Sequence, residues 1–128
     1  MYLLDTCALI WLTSDQTKLS KTAHSILTRG DAVIFISPIS FFEIGLLQRR
    51  KRIKLPCSLL KWTENIFKEY SINEVMINAS IAATAVELPE LHRDPADRII
   101  VATAMETDLS ILSPDELISQ YPRVRVVW

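Results

Sequence analysis

Glycine, long apolar runs and net charge are all scarce in this sequence. It has two glycines and six prolines in 128 residues, and no repeat or low-complexity stretch. Such a composition does not fit a linker-rich or disordered chain. Hydrophobic residues make up 49% of the chain, and a chain of this length can bury most of its apolar surface in one core. We therefore predict a single folded domain over residues 1–128.

No segment has the features of a membrane span or a secretion signal. The longest uncharged apolar stretch, residues 75–86, contains Asn78 and Ser80 and is too short to cross a bilayer. The first residues provide neither a basic leader nor a long apolar core, so they do not form a signal peptide. We expect a soluble, cytoplasmic protein without a membrane partner.

Cysteine and histidine offer no familiar metal or redox motif. Cys7 lies in an apolar run, where a free buried thiol is the common outcome, and we expect it and Cys57 to stay reduced. No His/Cys spacing suggests zinc, no glycine-rich loop suits a phosphate, and no Ser-His-Asp arrangement stands out. His92 could touch a substrate, but a lone histidine in a loop is more often structural or exposed.

Charge is balanced over the chain as a whole. The 14 basic and 15 acidic residues give a formal charge of −1, which points to neither a nucleic acid nor a membrane as partner. A local basic run is formed by Arg49, Arg50, Lys51 and Arg52. It could contact RNA phosphates without reading bases. It also suits the negative end of a helix dipole as a solvated helix end, so both interpretations stay open.

Four acidic residues, Asp5, Glu43, Asp97 and Asp115, each lie at the edge of an apolar segment. A carboxylate held against buried surface needs a partner or a cation, because removing its charge from water is costly. Asp97 and Asp115 have a simpler explanation as acids that interact with the start of a helix, as does the neighbouring Asp94, which can cap that helix. Neither capping nor a solvated surface explains Asp5 and Glu43 in such apolar surroundings.

Short apolar segments alternate with helical patterns along the chain. Strand patterns cover residues 2–4, 32–36, 73–77, 109–112 and 124–128. Helical patterns cover residues 8–12, 20–28, 37–49, 56–70, 80–88, 94–105 and 115–120, and we expect the Ala-rich helix 80–88 to be buried. This alternation predicts an α/β fold, a three-layer α/β/α sandwich with a mainly parallel sheet of about five strands.

The four acids should converge at one edge of this sheet, because ligand sites form beyond the carboxyl ends of parallel strands. Asp5 and Asp115 follow predicted strands, while Glu43 and Asp97 lie near the starts of helices. Their repulsion would raise the pKa of some of them, and Mg²⁺ or Mn²⁺ would remove it. These hard ions prefer oxygen ligands and suit phosphate substrates. One or two of them can activate water for attack on a phosphodiester.

Four segments together carry a resemblance to a known family. They are residues 3–6, 37–44, 92–104 and 111–125. In this order they resemble the PIN domain family, and within it the VapC-like toxins of toxin–antitoxin pairs, over nearly the whole chain. The family often has Thr where Ser113 stands and Trp where Phe42 stands. Ser keeps the hydroxyl, so only the Phe42 difference changes the chemistry, and we expect it to concern packing.

The resemblance implies a single PIN-like domain that acts as a Mg²⁺-dependent endoribonuclease and as the toxin of such a pair. It implies that the catalytic residues and metal ligands are Asp5, Glu43, Asp97 and Asp115. It further implies that these carboxylates are supported or oriented by Thr6, Ser40, Asp94 and Ser113. RNA would be the substrate, a small cognate antitoxin would bind the protein, and the chain would form a homodimer.

Two functions from other classes compete with this interpretation. A phosphoreceiver-like signalling domain has a similar size, a parallel sheet and an acidic Mg²⁺ pocket. It should show adjacent acids after its first strand, whereas Asp5 stands alone there, and a lysine after its last strands. A non-catalytic interaction module on the same scaffold is disfavoured by the presence of all four acids.

Overall fold

Five short parallel strands form the central sheet of the structure, a computed structural model that describes residues 1–128. The strands are β1 (Tyr2–Leu4), β2 (Ile34–Ile36), β3 (Asn73–Glu74), β4 (Ser110–Leu112) and β5 (Val126–Val127). Their order across the sheet is β3-β2-β1-β4-β5, and each neighbouring pair is parallel. β1 is therefore central, and its last residue, Leu4, is paired with Ile36 on one side and Leu112 on the other.

Six helices connect the strands and cover both faces of the sheet. They are α1 (Thr6–Ser14), α2 (Lys21–Thr28), α3 (Pro38–Arg49), α4 (Leu59–Tyr70), α5 (Ala79–Glu87) and α6 (Pro95–Thr107). A polar side chain caps each helix from α2 to α6 by accepting a backbone N–H of the first turn. These caps are Ser20, Ser37, Ser58, Asn78 and Asp94. They fix where the helices begin, because the first N–H groups of a helix have no partner inside it.

Each face of the sheet has its own apolar core. Successive strand residues point to opposite faces, so Leu4 joins a core with α1 to α4, whereas Leu3 joins one with α5 and α6. The same alternation places Leu112 in the first core and Ile111 in the second. All four side chains are completely buried, as expected for strands covered on both sides. The predicted three-layer sandwich with a five-stranded parallel sheet is confirmed.

The predicted bounds of several elements are wrong. α1 spans Thr6–Ser14 rather than residues 8–12, and α4 begins at Leu59, after its cap Ser58, rather than at residue 56. The predicted helix 115–120 is only a 3₁₀ turn at Ile118–Gln120. β2, β3 and β5 are shorter than the predicted segments 32–36, 73–77 and 124–128. For β3 and β5 the reason is their place at the edges of the sheet, where only one neighbour is available for pairing.

The expectation that α5 is a buried helix is also wrong. Only Ile81 and Ala85 of this helix are buried, while most of its other residues are exposed. α5 packs on the outer side of α6 and contacts it through a single stripe of apolar side chains, Ile81 and Ala85. Its alanines reflect high helix propensity and tolerate solvent, so an Ala-rich segment does not by itself indicate burial.

The helices of this fold are all too short or too polar to pass through a bilayer. Both cysteines, Cys7 and Cys57, are free thiols and partly buried.

Candidate active site

Asp5 and Ser113 lie side by side just beyond the carboxyl ends of β1 and β4. The parallel pairing of Leu4 with Leu112 brings them together, although they are far apart in the sequence. The Ser113 hydroxyl donates a hydrogen bond of 2.7 Å to Oδ2 of Asp5, and both side chains are buried. Ser113 Oγ in turn accepts the backbone N–H of Asp115 at 3.0 Å. Ser113 therefore links the first acid of the site to the segment that carries the last one.

Asp5 is only 6% exposed, and its carboxyl has no basic partner. Burial raises its pKa above the ordinary value, and the charge of Asp115 acts in the same direction. The hydrogen bond from Ser113 and the N–H groups at the start of α1 lower it in part. A buried acid whose partners are all neutral groups or other acids is a costly feature for the folded protein.

Glu43 comes to the same edge on α3, which follows β2. Its pKa is raised from 4.5 to about 7, first by desolvation and then by the charges of Asp97, Asp94 and Asp5. The buried hydroxyls of Thr6 and Ser40 lie 3.0 Å apart and form a hydrogen bond between α1 and α3. Thr6 also lowers the pKa of Glu43 slightly through a hydrogen bond. Thr6 thus lies beside the Glu43 carboxyl, and Ser40 is joined to Thr6.

Asp97 and Asp94 lie at the start of α6. Asp97 is half-buried, and its pKa is raised from 3.8 to about 6 by desolvation, and further by the charges of Asp5, Asp94 and Asp115. His92 has the opposite, lowering effect. Asp94 is exposed and caps the helix, because its Oδ1 accepts the Ala96 N–H at 2.8 Å. Asp94 thus has the structural role of a helix cap, and its charge still adds to the repulsion at the site.

Asp115 is held more firmly than the other acids. Its Oδ1 accepts the Leu117 N–H at 2.8 Å, and its Oδ2 lies 2.7 Å from Nε2 of His92. Both oxygens therefore have protein partners, and the side chain is 35% exposed. Its carboxylate is near enough to Asp5 and Asp97 to raise their pKa values.

The acids repel one another without forming a closed cage. No three acidic, histidine or cysteine side chains converge closely enough to share one ion in this arrangement. Carboxylates without a counter-ion repel one another and so favour spread positions. A donor set of carboxylate oxygens nevertheless fits a hard cation such as Mg²⁺, which keeps several waters and usually takes only one or two carboxylates.

His92 has the structural position that was one of the two expected for it. It is buried, stacks on Tyr121 with ring centroids 5.5 Å apart and contacts Asp115, a partner that no local sequence pattern indicates. The Tyr121 hydroxyl accepts the backbone N–H of His92 at 3.0 Å and lies 3.1 Å from Nδ1. If that hydroxyl donates to Nδ1, the ring proton is on Nε2 and points at Asp115. His92 thereby fixes the Asp115 carboxylate.

Arg98 anchors the loop that carries His92. Its guanidinium donates hydrogen bonds of 2.7–3.1 Å to five backbone carbonyls, at the end of α5 and in the loop that follows. These acceptors are Ala85, Val86, Leu88, Pro89 and His92. The planar fork of an arginine suits such a set of acceptors, and a lysine would not. Nothing in the sequence distinguishes Arg98 from an arginine that would pair with the adjacent Asp97.

The basic run begins at the last residue of α3, and its four side chains, Arg49, Arg50, Lys51 and Arg52, are exposed. Lys51 has a positive φ of 57°, so the chain turns sharply at this point. Arg50 and Arg52 line a cleft of about 370 Å³ that also includes Glu43 and Asp94. Arg49 and Lys51 do not line it. Two of the four predicted RNA-contacting residues therefore line the same cleft as Glu43 and Asp94.

This architecture, an acidic edge on a five-stranded parallel α/β/α sandwich, agrees with a family match. The PIN domain model matches residues 2–124, and the chain belongs to the PIN domain family. The chain is also 33% identical over 129 aligned residues to Ribonuclease VapC22 of Mycobacterium tuberculosis, a match that covers 98% of this chain and 97% of that protein. The resemblance to this family and to its VapC-like members is confirmed.

Solved structures of low sequence identity share the fold. VapBC2 from Rickettsia felis, bound to a DNA fragment from its promoter, has a TM-score of 0.70 at 16% identity, with 98% of this chain and 96% of that chain covered. A toxin–antitoxin complex from Klebsiella pneumoniae has a TM-score of 0.67 at 22% identity, with coverage of 100% and 97%.

The strand order β3-β2-β1-β4-β5 also differs from the order 2-1-3-4-5 of phosphoreceiver domains, which removes that alternative.

Proposed function

We propose that this protein is a Mg²⁺-dependent endoribonuclease and the toxin of a toxin–antitoxin pair. The observation that carries the proposal is the group of acids at the carboxyl edge of the sheet, where Glu43 and Asp97 have raised pKa values and Asp5 is buried with no basic side chain paired to it. The kinship with a protein named Ribonuclease VapC22 supports the reaction class. The structural neighbours described as toxin–antitoxin assemblies support a protein partner.

The metal ligands in this proposal are Asp5, Glu43, Asp97 and Asp115, with Mn²⁺ able to replace Mg²⁺. Bound there, the ion would lower the pKa of a water molecule and neutralise charge on the phosphodiester. The protein side chains prepare the site before any ligand arrives. They supply anionic oxygens, and they exclude enough water to make charge interactions strong.

Neighbouring residues act as supports for these ligands. Ser113 holds Oδ2 of Asp5 by its hydrogen bond, and the Thr6–Ser40 pair stands beside Glu43. Asp94 caps α6 and so fixes the helical turn on which Asp97 lies. His92 fixes Asp115, which already has an N–H partner in Leu117. Such supports matter because ligands held loosely bind metal and orient water less well.

The remaining partners follow from the surface around the site. The basic run Arg49–Arg52 would contact RNA phosphates, which gives affinity without sequence preference. A small antitoxin would cover the acidic edge, and an arginine from it could pair with the carboxylates in place of the cation. The proposal includes a homodimer, which the family resemblance implies.

The direct test is cleavage of a labelled single-stranded RNA with Mg²⁺ and with EDTA. Asp5→Asn and Asp97→Asn should each reduce the rate by roughly 100-fold or more, since changes even outside the ligand set typically cost 10- to 100-fold. Asp108→Asn is the matched control, because Asp108 is an exposed acid at the other end of α6 and asparagine accepts its left-handed conformation. Cleavage by the Asp5 and Asp97 variants at the wild-type rate would exclude these residues from the site.

The toxin role needs a separate experiment in cells. Expression of the chain alone should stop growth, and co-expression of a neighbouring small reading frame should restore it. Recovery of a complex of the two proteins by co-purification is the expected result. Growth arrest that persists unchanged, with no complex recovered, would remove the toxin–antitoxin assignment even if the protein cleaves RNA.

A further inference from the structure

An exposed aromatic ring stands directly beside the acidic edge. Phe42 is 63% exposed, whereas its neighbour Phe41 is 8% exposed. Phe41 packs against Trp62 and Phe67, with ring centroids 6.1 and 5.5 Å away. The expected packing role therefore belongs to Phe41, and the expectation that Phe42 concerns packing is wrong.

Exposure alone gives Phe42 no function, because single exposed apolar residues are common on soluble proteins. Its surroundings are more specific. Phe42 lines the 370 Å³ cleft together with Leu46, Glu43, Asp94, Arg50 and Arg52. The cleft thus carries a flat apolar ring and two cations, and it reaches Glu43, one of the four proposed metal ligands.

The mixture of groups identifies the kind of occupant. A nucleotide presents two flat apolar faces on its base and a negative phosphate, which match the Phe42 ring and the Arg50 and Arg52 guanidinium groups. The volume lies at the low end of the range for small-ligand pockets, which suits one nucleotide rather than a packed protein helix. An amphipathic helix would need a longer apolar groove, whereas this small cleft combines apolar side chains with two arginines and two acids.

We propose that Phe42 is a stacking platform for one unpaired base of the RNA substrate, with Arg50 and Arg52 holding the adjacent phosphates. The inference rests on the proposed ribonuclease function and adds how the substrate strand is held. Every base has a π-face, so the contact favours unpaired RNA without selecting a sequence. A base in a duplex is already stacked and would have to leave its neighbours to reach the ring.

The test compares two replacements of Phe42. Phe42→Leu keeps an apolar side chain but removes the flat ring, whereas Phe42→Trp keeps a ring that can stack. Phe42→Leu should raise KM for a single-stranded RNA oligonucleotide by roughly 5- to 100-fold, the range expected for the loss of one base–aromatic stack, and change kcat much less. Phe42→Trp should stay within a few-fold of wild type. Both variants should unfold near the wild-type temperature, because the side chain is mostly exposed.

The second arm changes the RNA instead of the protein. An oligonucleotide that lacks one base, at each position in turn, is measured for binding in the Asp97→Asn background. At one position the missing base should weaken binding to the protein with Phe42 by about the same factor as Phe42→Leu does. The two changes together should cost no more than either alone, because they remove the same contact.

The outcomes separate this inference from the proposed function. If wild type cleaves RNA but Phe42→Leu cleaves and binds like wild type, the stacking inference fails and the ribonuclease function stands. If wild type cleaves no RNA with any divalent metal, both fail. A third result would also overturn the inference. In it, Phe42→Leu converts a dimer to a monomer in sedimentation experiments, and its effect on RNA binding adds fully to the effect of every missing base. Phe42 would then be a contact with a second copy of the chain.

Discussion

Removing the negative charge of Glu43 should stabilise the metal-free protein. The perturbation is Glu43→Gln, which keeps the shape of the side chain and removes its charge. The pKa of Glu43 is raised from 4.5 to about 7 because burial and the charges of Asp97, Asp94 and Asp5 oppose ionisation. The folded protein therefore carries this carboxylate at a cost that the unfolded chain does not have.

The size of the effect follows from the shift in pKa. One pKa unit corresponds to about 1.4 kcal/mol, so this shift would be worth roughly 3 kcal/mol in a site sealed from water. The site is partly open to water, and part of the shift comes from the repulsion between Glu43 and Asp97, which the two residues share. We therefore expect Glu43→Gln to raise the free energy of unfolding by about 1–2 kcal/mol at pH 8. For a chain of this length that corresponds to a rise of roughly 4–8 °C in the unfolding temperature.

The pH dependence fixes the sign of the effect. The folded pKa values of Glu43 and Asp97, about 7 and about 6, lie above their ordinary values of 4.5 and 3.8. At pH values between the ordinary and the folded pKa of each group, the folded state holds more protons than the unfolded state. Wild type should therefore lose stability as the pH rises from about 5 to about 8. Glu43→Gln should be more stable than wild type at pH 8, and this advantage should shrink towards pH 5.

The measurement is urea unfolding in EDTA at both pH values. Glu69→Gln on α4 is the matched control, because Glu69 is exposed and its change should stay within about 0.5 kcal/mol at either pH. The double variant Glu43→Gln with Asp97→Asn should gain less than the sum of the single variants. This account of the acidic edge would be refuted if Glu43→Gln were less stable than wild type at pH 8. It would also be refuted if the variant differed from wild type in free energy of unfolding by the same amount at both pH values.

Two further predictions concern the ligands and supports of the site. Millimolar Mg²⁺ or Mn²⁺ should raise the unfolding temperature of wild type by preferential binding to the folded state, with no such rise in Asp97→Asn and a normal rise in Asp108→Asn. An unfolding temperature that neither metal changes would count strongly against the carboxylate site. His92→Phe keeps the stacking on Tyr121 but removes the contact with Asp115. It should slow RNA cleavage by roughly 10- to 100-fold, whereas His24→Phe on the exposed side of α2 should leave the rate unchanged.

The sequence was sufficient for those parts of the site that follow from sheet geometry. A continuous apolar run before Asp5 indicates a strand buried on both faces, and parallel strands deliver the residues after them to one edge. This reasoning placed Asp5 and Asp115 at one edge, and the pairing of β1 with β4 agrees with it. Ser113 was not found in this way, because only the family resemblance implied it as a support. The caps at Ser37 and Asp94 likewise fixed where α3 and α6 begin, and so the turns that carry Glu43 and Asp97.

The parts that could not be predicted depend on loops and on long side chains. The place of His92 is set by Tyr121 from the C-terminal segment and by the carbonyl contact with Arg98, and no local pattern encodes either. Phe41 and Phe42 are adjacent and chemically identical. Only the rotation of α3 relative to the core decides which ring is buried, and the apolar pattern on both sides of this pair leaves that rotation ambiguous.

Stability and the proposed activity place opposite demands on this edge of the sheet. Serine or asparagine could satisfy the nearby N–H and hydroxyl groups without charge, so a purely structural role does not explain why Asp5, Glu43 and Asp97 remain acidic where ionisation is opposed. A divalent cation would remove the repulsion while keeping the carboxylates, and so would an arginine from a partner protein. The cation and the partner's arginine would relieve the same repulsion between the carboxylates. An antitoxin that binds in this way must therefore weaken metal binding, whatever other surface of the protein it contacts.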